Sequence, residues 1–272
     1  MSVKKKLVVV TCEIFIGWIG ERSSHAISLL RGRYKSSTPH KMEFEAGGPV
    51  LKPLLLIGGQ SSRMGTRKEL LHFPDGQLAF ERALGTLHSA IPSASTIYIS
   101  LHDESQTEGI KSRLNDSSQI FKSSKLNPDH QENSVPKLEP IFDDQTEDIG
   151  PAAGLLAAHA RFPDVKWLVL GCDYPLLPPS ALQQLILEFQ TPVTCFVNES
   201  GFVEPLIAIW DSEALEKLKE NVSNGRYGLN DVSKQVGGKM VKPLREEWIT
   251  GTNTRQEWDE AMGVVKGWEN AG

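Results

Sequence analysis

One segment of the chain combines paired glycines with hydroxyl and cationic side chains. Gly58 and Gly59 can bring consecutive backbone N–H groups close to an anion, because glycine has no Cβ. Ser61 adds a hydroxyl donor, and Arg63 and Lys68 can neutralise phosphate charge. The spacing matches neither the P-loop nor the GxGxxG dinucleotide motif. An ordinary Gly/Ser turn is the alternative, but the neighbouring serine, arginine and lysine favour a phosphate-binding site.

An aspartate follows one of the apolar runs of the sequence. Asp173 comes shortly after Trp167–Leu170, which is typical of a buried strand. A carboxylate at this end of a strand is well placed for Mg²⁺, which takes one or two carboxylates together with phosphates and water. The alternative is an aspartate that caps the next helix, but Pro178, Pro179 and Ser180 are better placed for that role. We therefore predict that Asp173 is a metal ligand.

A cluster of acidic residues precedes a proline that stands between two glycines. Acidic side chains before a helix are usually solvated, or they stabilise the helix N-terminus. Here Gly150 and Gly154 around Pro151 indicate backbone that packs near a ligand. A carboxylate of this cluster could read the edge of a purine base or help to orient a metal. The cluster consists of Asp143, Asp144, Glu147 and Asp148.

Several kinds of chemistry are disfavoured by what the sequence lacks. Its seven histidines have no metal-ligand spacing and no GxSxG motif supplies a serine nucleophile, so zinc enzymes and serine hydrolases lose support. Its three cysteines include no CxxC pair, which is typical of a reducing compartment, and we expect a cytoplasmic protein. A net charge of −5 without a long Lys/Arg run argues against nucleic-acid partners. No apolar run approaches the ~20 residues that span a membrane.

Short apolar runs alternate with helical patterns from residue 54 onwards, and these elements must position the polar residues. The alternation predicts an α/β fold, with a doubly wound and mostly parallel sheet in three layers. Ligands of such folds bind at the carboxyl ends of the strands. Residues 102–137 are rich in polar side chains, and we expect most of them to form a solvated surface excursion. The predicted strands are Leu54–Ile57, Thr96–Ile99, Trp167–Leu170, Val193–Val197 and Leu206–Ile209, and the predicted helices are Leu78–Leu87, Ala152–Ala160 and Ala181–Phe189.

The first fifty residues carry no recognisable chemistry. Three lysines before an apolar stretch give them a superficial likeness to a signal peptide, but Glu13 interrupts the stretch and no cleavage site follows. A buried strand at Leu7–Val10 is the better interpretation. The Gly47-Gly48-Pro49 sequence is typical of a linker. We therefore predict an N-terminal extension over residues 1–50 and one domain over residues 51–272.

Together, these motifs resemble the molybdenum cofactor guanylyltransferase family, within the larger group of nucleotide-diphosphate-sugar-type nucleotidyltransferases. The resemblance covers Leu54 to Ala261. At position 67 the chain has arginine where the family usually has aspartate. The segments that carry the resemblance are, in chain order, Gly58–Gly65 with Lys68, Asp143–Gly154, Cys172–Pro175 with Pro178 and Pro179, Glu204–Leu206, Gly225–Arg226 and Asn253–Thr254.

The resemblance implies a Rossmann-like nucleotidyltransferase domain with a defined set of site residues. In this set Lys68 and Arg63 would act on the phosphates, Asp143 would contact the guanine nucleotide, and Asp173 would hold Mg²⁺ and the nucleotide. Asn253 would line the acceptor side or support the metal. The implied nucleotide-binding residues are Leu56, Ile57, Gly58, Gly59, Ser61, Lys68, Asp143 and Asp173.

The implied reaction is transfer of GMP from GTP to molybdopterin, a phosphorylated small-molecule acceptor, with release of pyrophosphate. Two alternatives stay open on the residues alone. A cytidylyltransferase or another nucleotidyltransferase of the same fold would share nearly all of them. A nucleotide-binding partner protein without catalysis is the second alternative, with residues 1–50 as an interaction arm. The missing glycine fingerprint disfavours an NAD-dependent dehydrogenase.

Overall fold

A seven-stranded sheet is the framework of the described residues. The computed structural model describes residues 50–57, 65–115, 117–122, 135–143 and 148–271. Within them the strand order across the sheet is β3-β2-β1-β4-β6-β5-β7. The strands are β1 (Leu51–Leu56), β2 (Thr96–Leu101), β3 (Lys137–Phe142), β4 (Lys166–Gly171), β5 (Val193–Val197), β6 (Val203–Trp210) and β7 (Lys239–Val241).

Strand direction confirms the prediction of a mostly parallel sheet. β1 pairs in parallel with β2 and β4, β2 with β3, and β5 with β7. Only β6 among these strands runs antiparallel, between β4 and β5. The sequence pattern predicted continued strand–helix alternation here, but β5 and β6 form a hairpin. Gly201 at φ +78° permits the tight turn, which the Asn198 N–H closes on the Phe202 carbonyl at 2.9 Å.

Helices cover both faces of the sheet and complete the three predicted layers. Short 3-10 helices lie at Lys68–Leu70, Glu104–Thr107 and Glu246–Ile249. Proline opens two of the longer helices, at Pro151 and Pro179, where its fixed φ and missing N–H suit the first helical position. The α-helices of the described residues are α1 (Ala79–Ala90), α2 (Lys111–Asn115), α3 (Ser117–Lys122), α4 (Pro151–Arg161), α5 (Pro179–Leu187), α6 (Ser212–Ser223), α7 (Leu229–Gln235) and α8 (Arg255–Ala271).

The core lies on the two faces of the central strands. Leu55 of β1 packs with α1 and α5 on one face, whereas Leu54 packs with α4, α6 and α7 on the other. Both leucines are fully buried. This alternation follows from the two-residue period of a strand. It also explains the continuous apolar runs in the sequence, since a strand covered on both faces needs apolar residues at every position.

The last helix, α8, is tied to the segments that carry two predicted site residues. Trp258 and Met262 of α8 pack on Leu71 and Phe73, which follow Lys68, and on Leu176, which follows Asp173. The Trp258 and Phe73 rings meet edge to face, with centroids 5.3 Å apart. This apolar cluster brings the start of α8 to the same edge of the sheet.

Most of the described residues within 102–137 are exposed or half-buried, which agrees with the predicted surface excursion. The described part is also folded: it forms a 3-10 helix, α2 and α3, and Ile110 and Ile120 are buried against α1 and the sheet. These two isoleucines anchor a segment whose polar composition gave no sign of its helices. The strand predicted at Leu7–Val10 lies outside the described residues. No helix among the described residues is long and apolar enough to cross a membrane.

Candidate active site

The ends of four parallel strands meet at one edge of the sheet. Register pairs Leu56 of β1 with Ser100 of β2 and with Gly171 of β4, so these strands end level. Leu101 of β2 is likewise paired with Phe142 of β3. The residues that follow these ends therefore share one edge, as the sequence predicted. Three strand spacings, about 14 Å, separate β3 from β4 along it.

Three of the predicted site residues form a polar group here, which we call the Asp173 cluster: Lys68, Asp173 and Asn253. Lys68 Nζ lies 3.5 Å from Asp173 Oδ2 and donates to Asn253 Oδ1 at 2.9 Å. The Lys68 and Asp173 side chains are 21% and 17% exposed, so each is partly shielded from water. A cation, a carboxylate and an amide oxygen thus lie together at the end of β4.

Burial dominates the electrostatics of the Asp173 cluster. Burial raises the pKa of the Asp173 carboxyl, and the nearby Lys68 ammonium only partly offsets this effect. The Cys172 thiol and the Tyr174 hydroxyl also have pKa values well above their usual ones, first through burial and then through the Asp173 charge. Cys172 therefore stays a neutral thiol. The desolvated Asp173 carboxylate would gain from a cation placed beside it.

The backbone of Asp173 is fixed by a residue that the sequence did not single out. Thr252 donates two hydrogen bonds to the Asp173 carbonyl, from its N–H at 2.8 Å and from Oγ1 at 3.1 Å. Thr252 is only 1% exposed. Asp173 also needs a small neighbour, because a Cβ on Gly171 would lie 2.7 Å from Asp173 Oδ1. These contacts join the end of β4 to the segment before α8.

Tyr174 and Glu204 form a second polar contact beside Asp173. Tyr174 Oη donates to Glu204 Oε2 at 2.8 Å. Burial raises the pKa of Glu204, the Tyr174 hydrogen bond lowers it, and the charge of Asp173 raises it further. Gly251 packs on the same ring, since a Cβ there would lie 3.4 Å from Tyr174 Cε1. Tyr174 therefore links Glu204, one of the residues that carry the family resemblance, to the Asp173 cluster.

At the end of β3, Asp143 pairs with a histidine, and we call these two residues the Asp143 pair. His102 Nδ1 lies 3.0 Å from Asp143 Oδ1, and the Asp143 N–H donates to the Leu101 carbonyl at 3.1 Å. The Asp143 side chain is 8% exposed, whereas that of His102 is 51% exposed. The Asp143 carboxylate is therefore shielded from water, whereas its histidine partner is half-exposed.

Leu56 ends β1 between these two groups, and Ile57 follows it. The Leu56 carbonyl accepts from the Cys172 N–H, and the Ile57 N–H donates to the Ser100 carbonyl, both at 3.3 Å. Both backbone groups therefore already take part in hydrogen bonds between strands. Because a carbonyl oxygen has two lone pairs, the Leu56 carbonyl can accept a second hydrogen bond, from a ligand. Gly58, Gly59, Ser61 and Arg63 lie outside the described residues, and their roles stay predictions.

The donors of the Asp173 cluster fit Mg²⁺. Asp173 supplies a desolvated carboxylate and Asn253 an amide oxygen, and both are ligand types that Mg²⁺ accepts beside phosphates and water. In the part of the chain that the structure describes, no three His, Cys, Asp or Glu side chains cluster closely enough to hold a metal by themselves. Phosphate oxygens would have to complete the coordination.

The sequence patterns did not point us to several residues at this edge, and only one of these residues carries a recognisable sequence signal. The Thr254-x-x-Glu257 spacing is a capping-box signature. Indeed Glu257 Oε2 accepts from the Asn253 and Thr254 N–H groups, at 2.6 and 2.8 Å, and anchors the start of α8. Thr252 and His102 gave no such signal, because their partners lie far away in the sequence.

Comparisons with known proteins point to one family. The profile of the MobA-like NTP transferase domain matches residues 53–240, more than half of the chain. The chain is 24% identical over 210 residues to the molybdenum cofactor biosynthesis bifunctional protein of Synechocystis sp., covering 76% of this chain and 52% of that protein. It is 24% identical over 212 residues to a probable molybdenum cofactor guanylyltransferase of Aquifex aeolicus, covering 77% of this chain and 89% of that protein.

A solved structure shares the fold. Molybdopterin-guanine dinucleotide biosynthesis protein A from Archaeoglobus fulgidus superposes with a TM-score of 0.58 at 18% identity, over 80% of this chain and all of that chain. This likeness bears on the α/β architecture. The chain spans about half the length of several curated relatives that it matches, the Synechocystis protein among them.

Proposed function

The chain belongs to the MobA-like NTP transferase family, and on that premise we propose that it transfers GMP from GTP to molybdopterin and releases pyrophosphate. The substrates are those that the names of its relatives imply, since several of these are molybdenum cofactor guanylyltransferases. The three cysteines without a CxxC pair support a cytoplasmic protein. We propose no nucleic-acid or membrane partner.

The Asp173 cluster is the observation that carries this proposal. It places a lysine, an aspartate and an asparagine together at the carboxyl edge of a parallel sheet, although these residues are 105 and 185 positions apart in the chain. This edge is where doubly wound folds bind nucleotides. A triphosphate with its cation matches the mixture of charges in the cluster, because Lys68 can neutralise phosphate while Asp173 holds the cation.

In the proposed reaction a phosphate oxygen of the acceptor attacks the α-phosphorus of GTP. A new bond forms between this oxygen and the α-phosphorus, and the bond from the α-phosphorus to the bridging oxygen breaks as pyrophosphate leaves. The acceptor is itself the nucleophile, so the protein needs no covalent intermediate. Its contribution is orientation and charge neutralisation.

Each residue of the Asp173 cluster has a defined task in this scheme. Lys68 neutralises the phosphates, and Asn253 orients the Lys68 ammonium by accepting its hydrogen bond at 2.9 Å. Arg63 adds a second cation at the phosphates. Asp173 would hold Mg²⁺, which when bound supplies a Lewis acid at the α-phosphate.

The Asp143 pair would read the base. Guanine carries an N2 amino donor that adenine lacks, and a carboxylate fixed by His102 offers an acceptor to donors of this kind. The ends of β3 and β4 lie about 14 Å apart, which leaves room for a nucleotide with its base at Asp143 and its phosphates at Asp173. Leu56 and Ile57 would contact the nucleotide between them.

Product analysis tests the proposal. The full chain is incubated with Mg²⁺, molybdopterin and each of the four NTPs in turn, and products are identified by mass spectrometry alongside a pyrophosphate assay. We expect a GMP adduct of molybdopterin with GTP alone, and strongly reduced formation of this adduct in Lys68→Ala. Lys137→Ala, which removes a lysine that is 71% exposed, serves as the matched control.

Two results would contradict the proposal. A CMP adduct would make the protein a cytidylyltransferase. Nucleotide binding without pyrophosphate release from any of the four NTPs would indicate a partner protein without catalysis.

A further inference from the structure

Arg67 directly precedes Lys68, but its side chain contacts different residues. Arg67 Nε pairs with Glu69 Oε1 at 2.6 Å, and Nη2 donates to the Gln106 carbonyl at 2.8 Å. The Glu69 side chain is only 3% exposed. A guanidinium can serve both acceptors at once because its donors form a rigid fork. Arg67 therefore connects the lysine segment to the loop after β2.

The contacts continue from this loop to Asp143. Gln106 Oε1 accepts from the His102 N–H at 2.8 Å, and the His102 ring lies 3.0 Å from Asp143. Asp103 stiffens the same loop by accepting from the Ser105 N–H at 2.8 Å. Gln106 thus uses two different groups: its carbonyl binds Arg67 and its side chain binds His102.

Packing holds the loop against the guanidinium as well. A Cβ on Gly109 would lie 3.3 Å from Arg67 Nη1, closer than most side-chain contacts, so the absence of a side chain at 109 lets the loop approach Arg67.

We propose that Arg67 is a positioning residue for base selection, because it fixes the loop 102–106 so that His102 holds Asp143 toward the nucleobase. This inference rests on the proposed function, in which Asp143 reads the base. Arg67 acts through Gln106 and His102 and contacts neither phosphate nor base. A purely structural role for Arg67 would affect stability but would leave the ranking of nucleotides unchanged.

Equilibrium binding of nucleotides to the full chain tests this inference. Dissociation constants for GTP, ATP and CTP are measured with Mg²⁺ for the wild type, Arg67→Met and Lys68→Ala. We expect Arg67→Met to lower the preference for the favoured base about tenfold, as the loss of one hydrogen bond to a charged group would. Lys68→Ala should weaken all three nucleotides by a similar factor, since the phosphates are common to them.

A matched control and two further variants distinguish the proposed effect from misfolding. Arg245 is likewise paired with a glutamate two residues later, Glu247, but its side chain is 63% exposed. Arg245→Met should therefore leave the nucleotide preference unchanged. Arg67→Met leaves Glu69 buried without its partner. Gln106→Ala and His102→Ala avoid this problem, and each should lower the preference as well.

The double variant Arg67→Met with His102→Ala completes the test. If Arg67 acts through His102, the double variant should lose no more preference than the stronger single variant. An unchanged preference in folded Arg67→Met, or additive losses in the double variant, would overturn the inference. These outcomes would leave the proposed function intact. Conversely, a wild-type protein that binds nucleotide but releases no pyrophosphate would contradict the proposed function and leave this inference about nucleotide binding unaffected.

Discussion

The Asp173 cluster and the Asp143 pair lie at the same edge of the sheet but are built differently. Lys68 contacts Asp173 across 105 positions of the chain and Asn253 across 185. Thr252 fixes the Asp173 carbonyl with two hydrogen bonds. Asp143 instead depends on His102, which follows the neighbouring strand and is half-exposed. One carboxylate is held by the fold itself, and the other by a loop.

This difference matches the demands of the two ends of a nucleotide. Phosphate and cation are the same for every nucleotide, so their site gains from donors and charges fixed in advance. The base is what varies between nucleotides, and a loop can change without disturbing the sheet. We therefore expect substitutions in the Asp173 cluster to affect the reaction rate for all nucleotides, and substitutions near the Asp143 pair to affect the choice among them.

The largest effect is expected from Asp173→Asn. Loss of the carboxylate would remove the proposed ligand for Mg²⁺, so turnover should fall by about a hundredfold or more while the fold stays intact. Turnover is measured by pyrophosphate release and folding by circular dichroism. Asp164→Asn is the matched control, because Asp164 precedes β4 at the opposite end of the strand. Unchanged turnover in Asp173→Asn would remove Asp173 from the proposed chemistry.

A smaller and more selective effect is expected from Asp143→Asn. The amide keeps one oxygen but loses the charge that, in the proposed function, would attract the donors of guanine, so GTP affinity should fall about tenfold. ATP affinity should change little, which separates this variant from those in the Asp173 cluster. Titration calorimetry with both nucleotides gives the two constants, with the exposed Asp164→Asn again as control. Equal losses for GTP and ATP would contradict the comparison.

Thr252→Val tests whether the backbone contact at Asp173 matters for catalysis. The variant removes the Oγ1 donor and keeps the N–H donor, so the free energy of unfolding should fall by about 1 kcal/mol and kcat by several-fold. Thr252→Ser keeps the hydroxyl and should restore kcat, while KM for GTP should move little in either variant. Denaturant unfolding and initial rates give these values. A Ser variant as slow as the Val variant would indicate that packing, rather than the hydrogen bond, is what counts.

The smallest effect is expected from Glu257→Gln. Hydrogen bonds from the Asn253 and Thr254 N–H groups lower the pKa of Glu257 in the folded protein. Its carboxylate therefore stabilises the fold above the ordinary pKa of 4.5, and this contribution is lost as the pH falls through the lowered pKa. The melting temperatures of wild type and variant should differ at pH 7 and converge in acid. A difference that stays constant from neutral pH into acid would rule out this origin.

Much of the fold and part of the site could be predicted from local patterns. The strand before Asp173 and the proline-led helices are encoded within a few residues, so their positions followed from the sequence. Long-range partners are different, because nothing near Thr252 indicates that it binds Asp173. The same holds for Arg67, because its contact with Gln106 depends on the fold of a polar segment whose composition did not indicate its helices or its two buried isoleucines.

The contact between Lys68 and Asn253 also bears on when the protein becomes competent during its synthesis. The strands and most of the helices precede Asn253, so much of the sheet can form while the chain is still emerging from the ribosome. The Asp173 cluster cannot be complete until the start of α8 has emerged, 185 residues after Lys68. Nascent chains that end before α8 would therefore have much of the architecture without a complete Asp173 cluster.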